Sequence, residues 1–140
     1  MARLRHAGAW LLLLVLAAGC GSRLTPSGRL LKNGDPYVPA DGETVHLSLI
    51  RVQEGAAPAE GAGESAGSYV ANFNRETGTF RVTGADGRGL PKGKYRVVVQ
   101  IMKNKKDMLR GAFGAQNSPL VREITGKADE LDVDLARPNG

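Results

Sequence analysis

Cysteine is almost missing from this chain: the 140 residues hold one, Cys20. No intramolecular disulfide can form, so the fold must rest on an ordinary apolar core. Histidine is nearly as scarce. Of the two present, only His46 lies beyond Cys20. A structural zinc site wants three or four His, Cys or carboxylate ligands. A Ser–His–carboxylate triad would have to use His46, on the outward face of a strand. Aromatic residues make up 5% of the chain, and the single tryptophan, Trp10, precedes Cys20. Beyond it stand Tyr37, Tyr69, Tyr95, Phe73, Phe80 and Phe113, most of them at core-facing positions, which leaves little for an exposed sugar-stacking platform. Long apolar runs are lacking too. Ala9 to Ala18 is the longest, about half the ~20 residues needed to span a bilayer.

That short run carries information of another kind. Arg3 and Arg5 precede it, five leucines fill it, and Leu16-Ala17-Ala18-Gly19-Cys20 closes it. A charged start, an apolar middle and small residues before a cut site form an export signal. Its end at a lone cysteine resembles the lipobox of bacterial lipoproteins. The resemblance implies that residues 1–19 are removed and that Cys20 is acylated, palmitate included. Several acyl chains hold a protein firmly on a membrane. A plain secretory signal would leave an unpaired thiol on an exported protein. Gly21, where an aspartate is absent, leans by analogy toward the outer membrane, so the expected location is the outer membrane or the periplasmic face of the envelope.

Removing Arg3 and Arg5 lowers the basic count from 19 to 17 against 14 acidic residues, a mature charge near +3. The excess is small and scattered. No nucleic-acid partner is expected. Residues 20–27 read as a tether containing Pro26, and 28–137 as one domain.

The domain reads as strands and turns. Gly28–Lys32 is a first strand, closed by the turn Asn33-Gly34-Asp35-Pro36. In Thr44–Val52, Val45, Leu47 and Leu49 alternate with His46 and Ser48, as in a sheet with one buried face. Glu54–Gly67 has no large apolar residue and is expected to be a mobile loop. Tyr69, Ala71 and Phe73 define a third strand, and Phe80 and Val82 a fourth. Lys94–Lys103 is the strongest: Tyr95, Val97, Val99 and Ile101 share one face, and the partly apolar second face suggests a central strand. Leu120–Thr125 is a sixth, of unsettled facing because Arg122 falls between Leu120 and Ile124. In Glu130–Ala136, Leu131, Val133 and Leu135 point in while Asp132 and Asp134 point to water. Seven short strands without a strand–helix alternation predict an all-β, antiparallel sandwich.

Gly28-Arg29-Leu30-Leu31-Lys32-Asn33-Gly34-Asp35-Pro36, Thr77-Gly78-Thr79-Phe80 and Pro91-Lys92-Gly93-Lys94-Tyr95-Arg96-Val97 together resemble the carboxypeptidase-regulatory-like domains. These are prealbumin-like (transthyretin-like), Ig-like sandwiches of seven strands. Leu109 to Phe113, Asn117 to Leu120 and Asp132 to Leu135 resemble small lipoproteins of this type abundant in planctomycetes. The resemblance covers nearly the whole domain except Glu54–Gly67. It implies a fold but no activity. Transthyretin-like hydrolases of ureide metabolism depend on several histidines and a characteristic tail, both lacking here.

Three surfaces are candidates for function. The loop Asn104–Ser118 carries Met108, Leu109 and Phe113, which either offer apolar contact area to a partner or fold back to cap the sandwich. Lys103, Lys105, Lys106 and Arg110 form a basic run, interrupted by Asp107, that reads first as a solvated loop and otherwise as a contact for anionic headgroups near the anchor. Asp129, Glu130, Asp132 and Asp134 could offer oxygen ligands to calcium, although alternation along a solvated strand gives the same pattern without an ion. The expected site set is therefore Cys20 for lipid and Met108, Leu109 and Phe113 for a partner, with no catalytic residues, metal or cofactor. The expected function is a non-catalytic interaction or structural module of the cell envelope, attached to the membrane through Cys20 and bound to another envelope protein. The alternative is a receptor for a small ligand or glycan.

Overall fold

The computed structural model describes residues 22–52, 67–127 and 131–137. The segment expected to be an export signal, Cys20, the greater part of the Glu54–Gly67 segment, Asp129 and Glu130 lie outside the described residues. Nine strands follow in order: β1 (Ser27–Lys32), β2 (Asp35–Pro36), β3 (Glu43–Arg51), β4 (Ser68–Phe73), β5 (Thr79–Val82), β6 (Gly93–Lys103), β7 (Lys106–Asp107), β8 (Val121–Ile124) and β9 (Val133–Asp134). No helix occurs among the described residues. The chain is all-β, as its alternation predicts. The seven expected strands each have a counterpart, and the two additional ones, β2 and β7, are two-residue returns after tight turns.

The hydrogen-bonded order is β2-β1-β5-β4-β3-β6-β7, with β8 also on β6 and β9 on β1. Every pair is antiparallel except β1–β9, where Leu30 and Leu31 run parallel to Val133 and Asp134. An all-antiparallel arrangement, expected from the sequence, therefore fails at the last strand. The described strands form one open sheet. Its path changes partner within β4. Ser68, Tyr69 and Val70 pair with β3, whereas Ala71, Asn72 and Phe73 pair with β5.

One face of the sheet is apolar throughout. Leu30 from β1, Leu47 and Leu49 from β3, Ala71 from β4, Phe80 and Val82 from β5, and Tyr95, Val97 and Val99 from β6 belong to one buried cluster with Leu131 and Val133. For strands from distant places in the order to share a cluster, the sheet must curve around it. The pleat explains the selection: Leu47 faces Val99 and Leu49 faces Val97 across β3–β6, and side chains two residues apart share a face. Each buried Leu, Val or Phe side chain of the cluster contributes about 1.5–3 kcal/mol. On β6 the second face is also partly covered, Val98 being buried, which agrees with its central place.

β8 settles what the sequence leaves open. Leu120 and Ile124 are buried, Val121 is exposed, and Arg122 stands opposite Tyr95. The segment from Met108 to Leu120 closes the remaining edge of β6 between β7 and β8. Val97 N–H donates to the Leu120 carbonyl at 2.8 Å, and Val99 N–H to that of Phe113 at 3.0 Å. The buried Ser118 hydroxyl donates to the Val97 carbonyl. An edge that would otherwise offer free backbone groups is sealed by irregular chain.

Candidate functional site

Each expected contact residue of the Asn104–Ser118 loop has a definite place. Phe113 is 8% exposed and belongs to the core cluster. Leu109 is partly buried against that cluster. Met108 alone is open, at 51% exposure. Two of the three thus cap the core, and only Met108 offers free apolar surface. The loop is a run of tight turns in which Arg110 N–H bonds to the Asp107 carbonyl, Ala112 N–H to Leu109 and Gly114 N–H to Gly111.

Asp107 holds it. Its carboxylate accepts from Leu109 N–H at 3.0 Å, from Gly111 N–H at 2.8 Å and from Ile101 N–H at 3.4 Å. In the sequence it reads as an interruption of a basic run; in the fold it is the organiser of the loop. Lys103, Lys105 and Lys106 lie at the C-terminal end of β6. The tether residue Leu24 bridges to Leu90, just before the other end of that strand. Eleven residues of strand separate the two by about 33 Å. The basic run therefore lies at the opposite end of β6 from Leu24, and Lys105 and Lys106 are exposed there, as a solvated loop would have them.

The described acidic residues of the C-terminal segment are occupied by protein groups. Asp132 takes a two-pronged contact from the Arg29 guanidinium, with Nη2 at 2.5 Å and Nε at 3.2 Å, and accepts from Arg29 N–H at 2.9 Å. Hydrogen bonding from the Arg29 side chain, aided by its charge, holds the Asp132 carboxyl below the usual range. Asp134, expected to face water, accepts instead from the backbone N–H groups of Asn33 (3.1 Å), Gly34 (2.9 Å) and Ala136 (2.9 Å). Among the described residues no group of three or more His, Cys, Asp or Glu is placed to hold a metal ion. His46 is exposed on β3, opposite Gln100.

A further polar cluster sits where the loop following β2 meets the start of β3. The Tyr37 hydroxyl donates to Glu43 Oε2 at 2.7 Å, Ala40 N–H donates to the same oxygen at 3.0 Å, and Lys103 Nζ lies 3.7 Å from Oε1. The hydroxyl bond from Tyr37 leads in lowering the Glu43 carboxyl. Burial, then the bond to Glu43, pushes the Tyr37 phenol up to about 12.

The sheet's outward face carries a site that residue order conceals. A shallow depression of about 620 Å³ is lined by the polar residues Ser27, Arg29, Asn72, Asn74, Thr79 and Arg81, together with Gly28 and Phe80. A neighbouring one of about 500 Å³ is lined by Asn72 to Glu76. β5 brings them together: Arg81 pairs with Ser27 of β1 on one side and Asn72 of β4 on the other. The Asn74 side-chain oxygen is already taken by Glu76 N–H at 2.9 Å, and the Asn72 amide donates to Thr83 at 3.1 Å. Alternation alone points these residues outward, but only the strand order β1-β5-β4 makes them neighbours.

Among the described residues no helix is long and apolar enough to cross a membrane. Comparison with protein-family models, with curated proteins and with solved structures found no match.

Proposed function

We propose that this chain is a lipid-anchored, non-catalytic interaction module of the cell envelope, built as a prealbumin-like β-sandwich and acylated at Cys20. The partner switch within β4 supports the sandwich, since strands that pass from one sheet to the other make the corners of such folds. So does Tyr95, whose hydroxyl donates to the Pro91 carbonyl at 2.7 Å, a bond from the start of a strand back to upstream backbone that recurs in Greek-key sandwiches.

The observation that carries the functional reading is the placement of exposed apolar residues. Val38 (58%) and Met108 (51%) are the most exposed large hydrophobics among the described residues. Both lie toward the end of the strands remote from Leu24: Val38 follows Tyr37, which bonds to Glu43 at the start of β3, and Met108 N–H bonds to Ile101 near the end of β6. A module held on a membrane by its N-terminal tether would present this end to another envelope protein. Photo-crosslinkers at positions 38 and 108, compared with one at exposed Val121, test the reading in native envelopes. A specific adduct from 38 or 108 and none from 121 is the expected result. Cys20→Ser should move the protein out of the membrane fraction, and intact mass should show the acyl chains on the wild type. A soluble wild type with a bare thiol overturns the anchor.

The alternative, a receptor for a small ligand or glycan, is favoured by one feature, the polar depression around Arg81 and Asn72. Its lining of amide, hydroxyl and guanidinium groups matches a hydroxylated or acidic sugar. Glycan binding lost in Arg81→Ala and Asn72→Ala, with stability unchanged, would support that reading.

A further inference from the structure

The way Leu24 enters the domain fixes which end faces the membrane. Leu24 N–H donates to the Leu90 carbonyl and Leu90 N–H returns to Leu24, both at 2.8 Å. Gly89 packs so tightly on the Leu24 carbonyl, at φ +80°, that a Cβ there would lie 2.2 Å from the oxygen. The tether is thus stitched into the domain four residues after Cys20. Four residues reach at most about 14 Å, less than half the length of β6. An acyl group on Cys20 therefore cannot sit beside any surface except the one around Leu24.

That surface is basic in its described parts. Arg23, Arg88, Lys92 and Lys127 are exposed there, on the segments near Leu24: its own neighbour, the turn before Leu90, the residue after Pro91, and the residue after Gly126, where a Cβ would meet the Leu24 side chain at 3.5 Å. Asp86 faces Arg23 at 3.5 Å, and the exposed Glu123 of β8 stands opposite Lys94 near this end. Basic residues within a Debye length of an anionic leaflet are attracted to it.

We propose that this end of the fold rests on anionic lipid headgroups, through Arg23, Arg88, Lys92 and Lys127, so that the domain stands upright on the membrane. The inference rests on the acylation of Cys20 proposed above. It places the Asn33–Gly34 and Asn104–Lys105 turns, with Val38 and Met108, on the side away from the bilayer. The contact is electrostatic, so it depends on salt and on the short tether.

The test uses the full chain as processed by the cell, reconstituted into vesicles of phosphatidylcholine with or without phosphatidylglycerol. Amine labelling is read lysine by lysine. Lys92 and Lys127 should label several-fold more slowly on phosphatidylglycerol vesicles than on neutral ones, and high salt should restore the rate. Lys105 and Lys106 should label equally in all conditions. Equal labelling of Lys92 and Lys127 on both vesicle types, or protection of Lys105 and Lys106 instead, would overturn the proposal. Intact mass separates this failure from failure of the anchor. If Cys20 carries no lipid, flotation of the processed chain with anionic vesicles at low salt reads the basic surface alone. Flotation lost in the double variant Lys92→Glu, Lys127→Glu and kept in Lys105→Glu, Lys106→Glu would uphold the surface. Loss in neither would refute it.

Discussion

Two turns at the same end of the molecule do the same job with unequal sequences. Asn33-Gly34 joins β1 to β2 and Asn104-Lys105 joins β6 to β7, each as a two-residue hairpin that puts Lys32 opposite Asp35 and Lys103 opposite Lys106. Both central residues have positive φ in each, 57° and 88° in the first and 48° and 63° in the second. Such a turn matches the twist of the flanking strands and favours Asn-Gly. The first turn has that dipeptide. The second places Lys105 where a side chain costs about 1–2 kcal/mol, and so must be held by something other than its own preference. Asp107 supplies the hold, through the Leu109, Gly111 and Ile101 N–H groups. Asp134 braces the first turn through the Asn33 and Gly34 N–H groups, where local preference already suffices. A turn with poor chemistry thus depends on its aspartate more than a turn with good chemistry does.

Asp107→Ala should have the largest effect, because it leaves three backbone donors without their acceptor beside the core. The expected loss is about 2–4 kcal/mol, read as a lower denaturant midpoint, with faster hydrogen exchange of the Met108–Ser118 segment. A loss below that of Asp134→Ala would break the comparison. Asp134→Asn should cost less, about 1–2 kcal/mol. One carbonyl oxygen cannot serve all three N–H groups that the two carboxylate oxygens now share, and the reading of Asp134 as a solvated residue predicts no loss. Chemical unfolding of that variant decides between the two.

A smaller pair of effects should have opposite signs. Gly34→Ala puts a Cβ on a residue at positive φ and should destabilise by about 1 kcal/mol. Lys105→Gly removes that penalty and should stabilise, by less than about 1 kcal/mol because glycine loses more freedom on folding. Two losses, or two gains, in thermal melts would show that backbone preference does not separate the turns.

The smallest effects concern pH. Glu43 and Asp132 are both held below their ordinary carboxyl range, chiefly by the Tyr37 hydroxyl and the Arg29 side chain respectively. A carboxyl whose folded value is depressed adds stability that is complete above its unfolded value, about 4. That stability is lost as pH falls through the folded value. Glu43→Gln and Asp132→Asn should therefore each flatten the acid limb of the stability curve and change little at its alkaline limb. Tyr37 acts in the other direction. Raised to about 12, it adds stability below its ordinary value near 10 that disappears as pH rises toward 12, so Tyr37→Phe should flatten the alkaline limb. Melting temperature against pH reads all three.

Much of the strand map was legible from alternation. Val45-Leu47-Leu49, Tyr95-Val97-Val99-Ile101 and Leu131-Val133-Leu135 all turn to the core as their spacing predicts, because a pleated strand with one wet face leaves each residue only one choice. Asn33-Gly34 was legible because its chemistry is local. Asn104-Lys105 was not, since nothing in that dipeptide announces the hairpin and the hold comes from Asp107. The candidate contact residues were half legible. Their apolar character is plain in sequence, but whether Phe113 caps the core or meets a partner depends on the loop's return to β6. The polar depression was legible only as outward residues on separate strands.

The sequence by itself determined the all-β class, the lone Cys20 behind a leader-like segment, the dependence on an apolar core, and which face of most strands is buried. These follow from composition and from a period of two, both properties of the chain taken a few residues at a time. Only the tertiary structure decided that β9 runs parallel to β1, that β4 divides its pairing between β3 and β5, that Asp107, Asp132 and Asp134 serve backbone and arginine partners, and that Arg29, Arg81 and Asn72 share one surface. Most of these depend on hydrogen bonds between residues far apart in the chain, and those partners are fixed by how the sheet curves around its core.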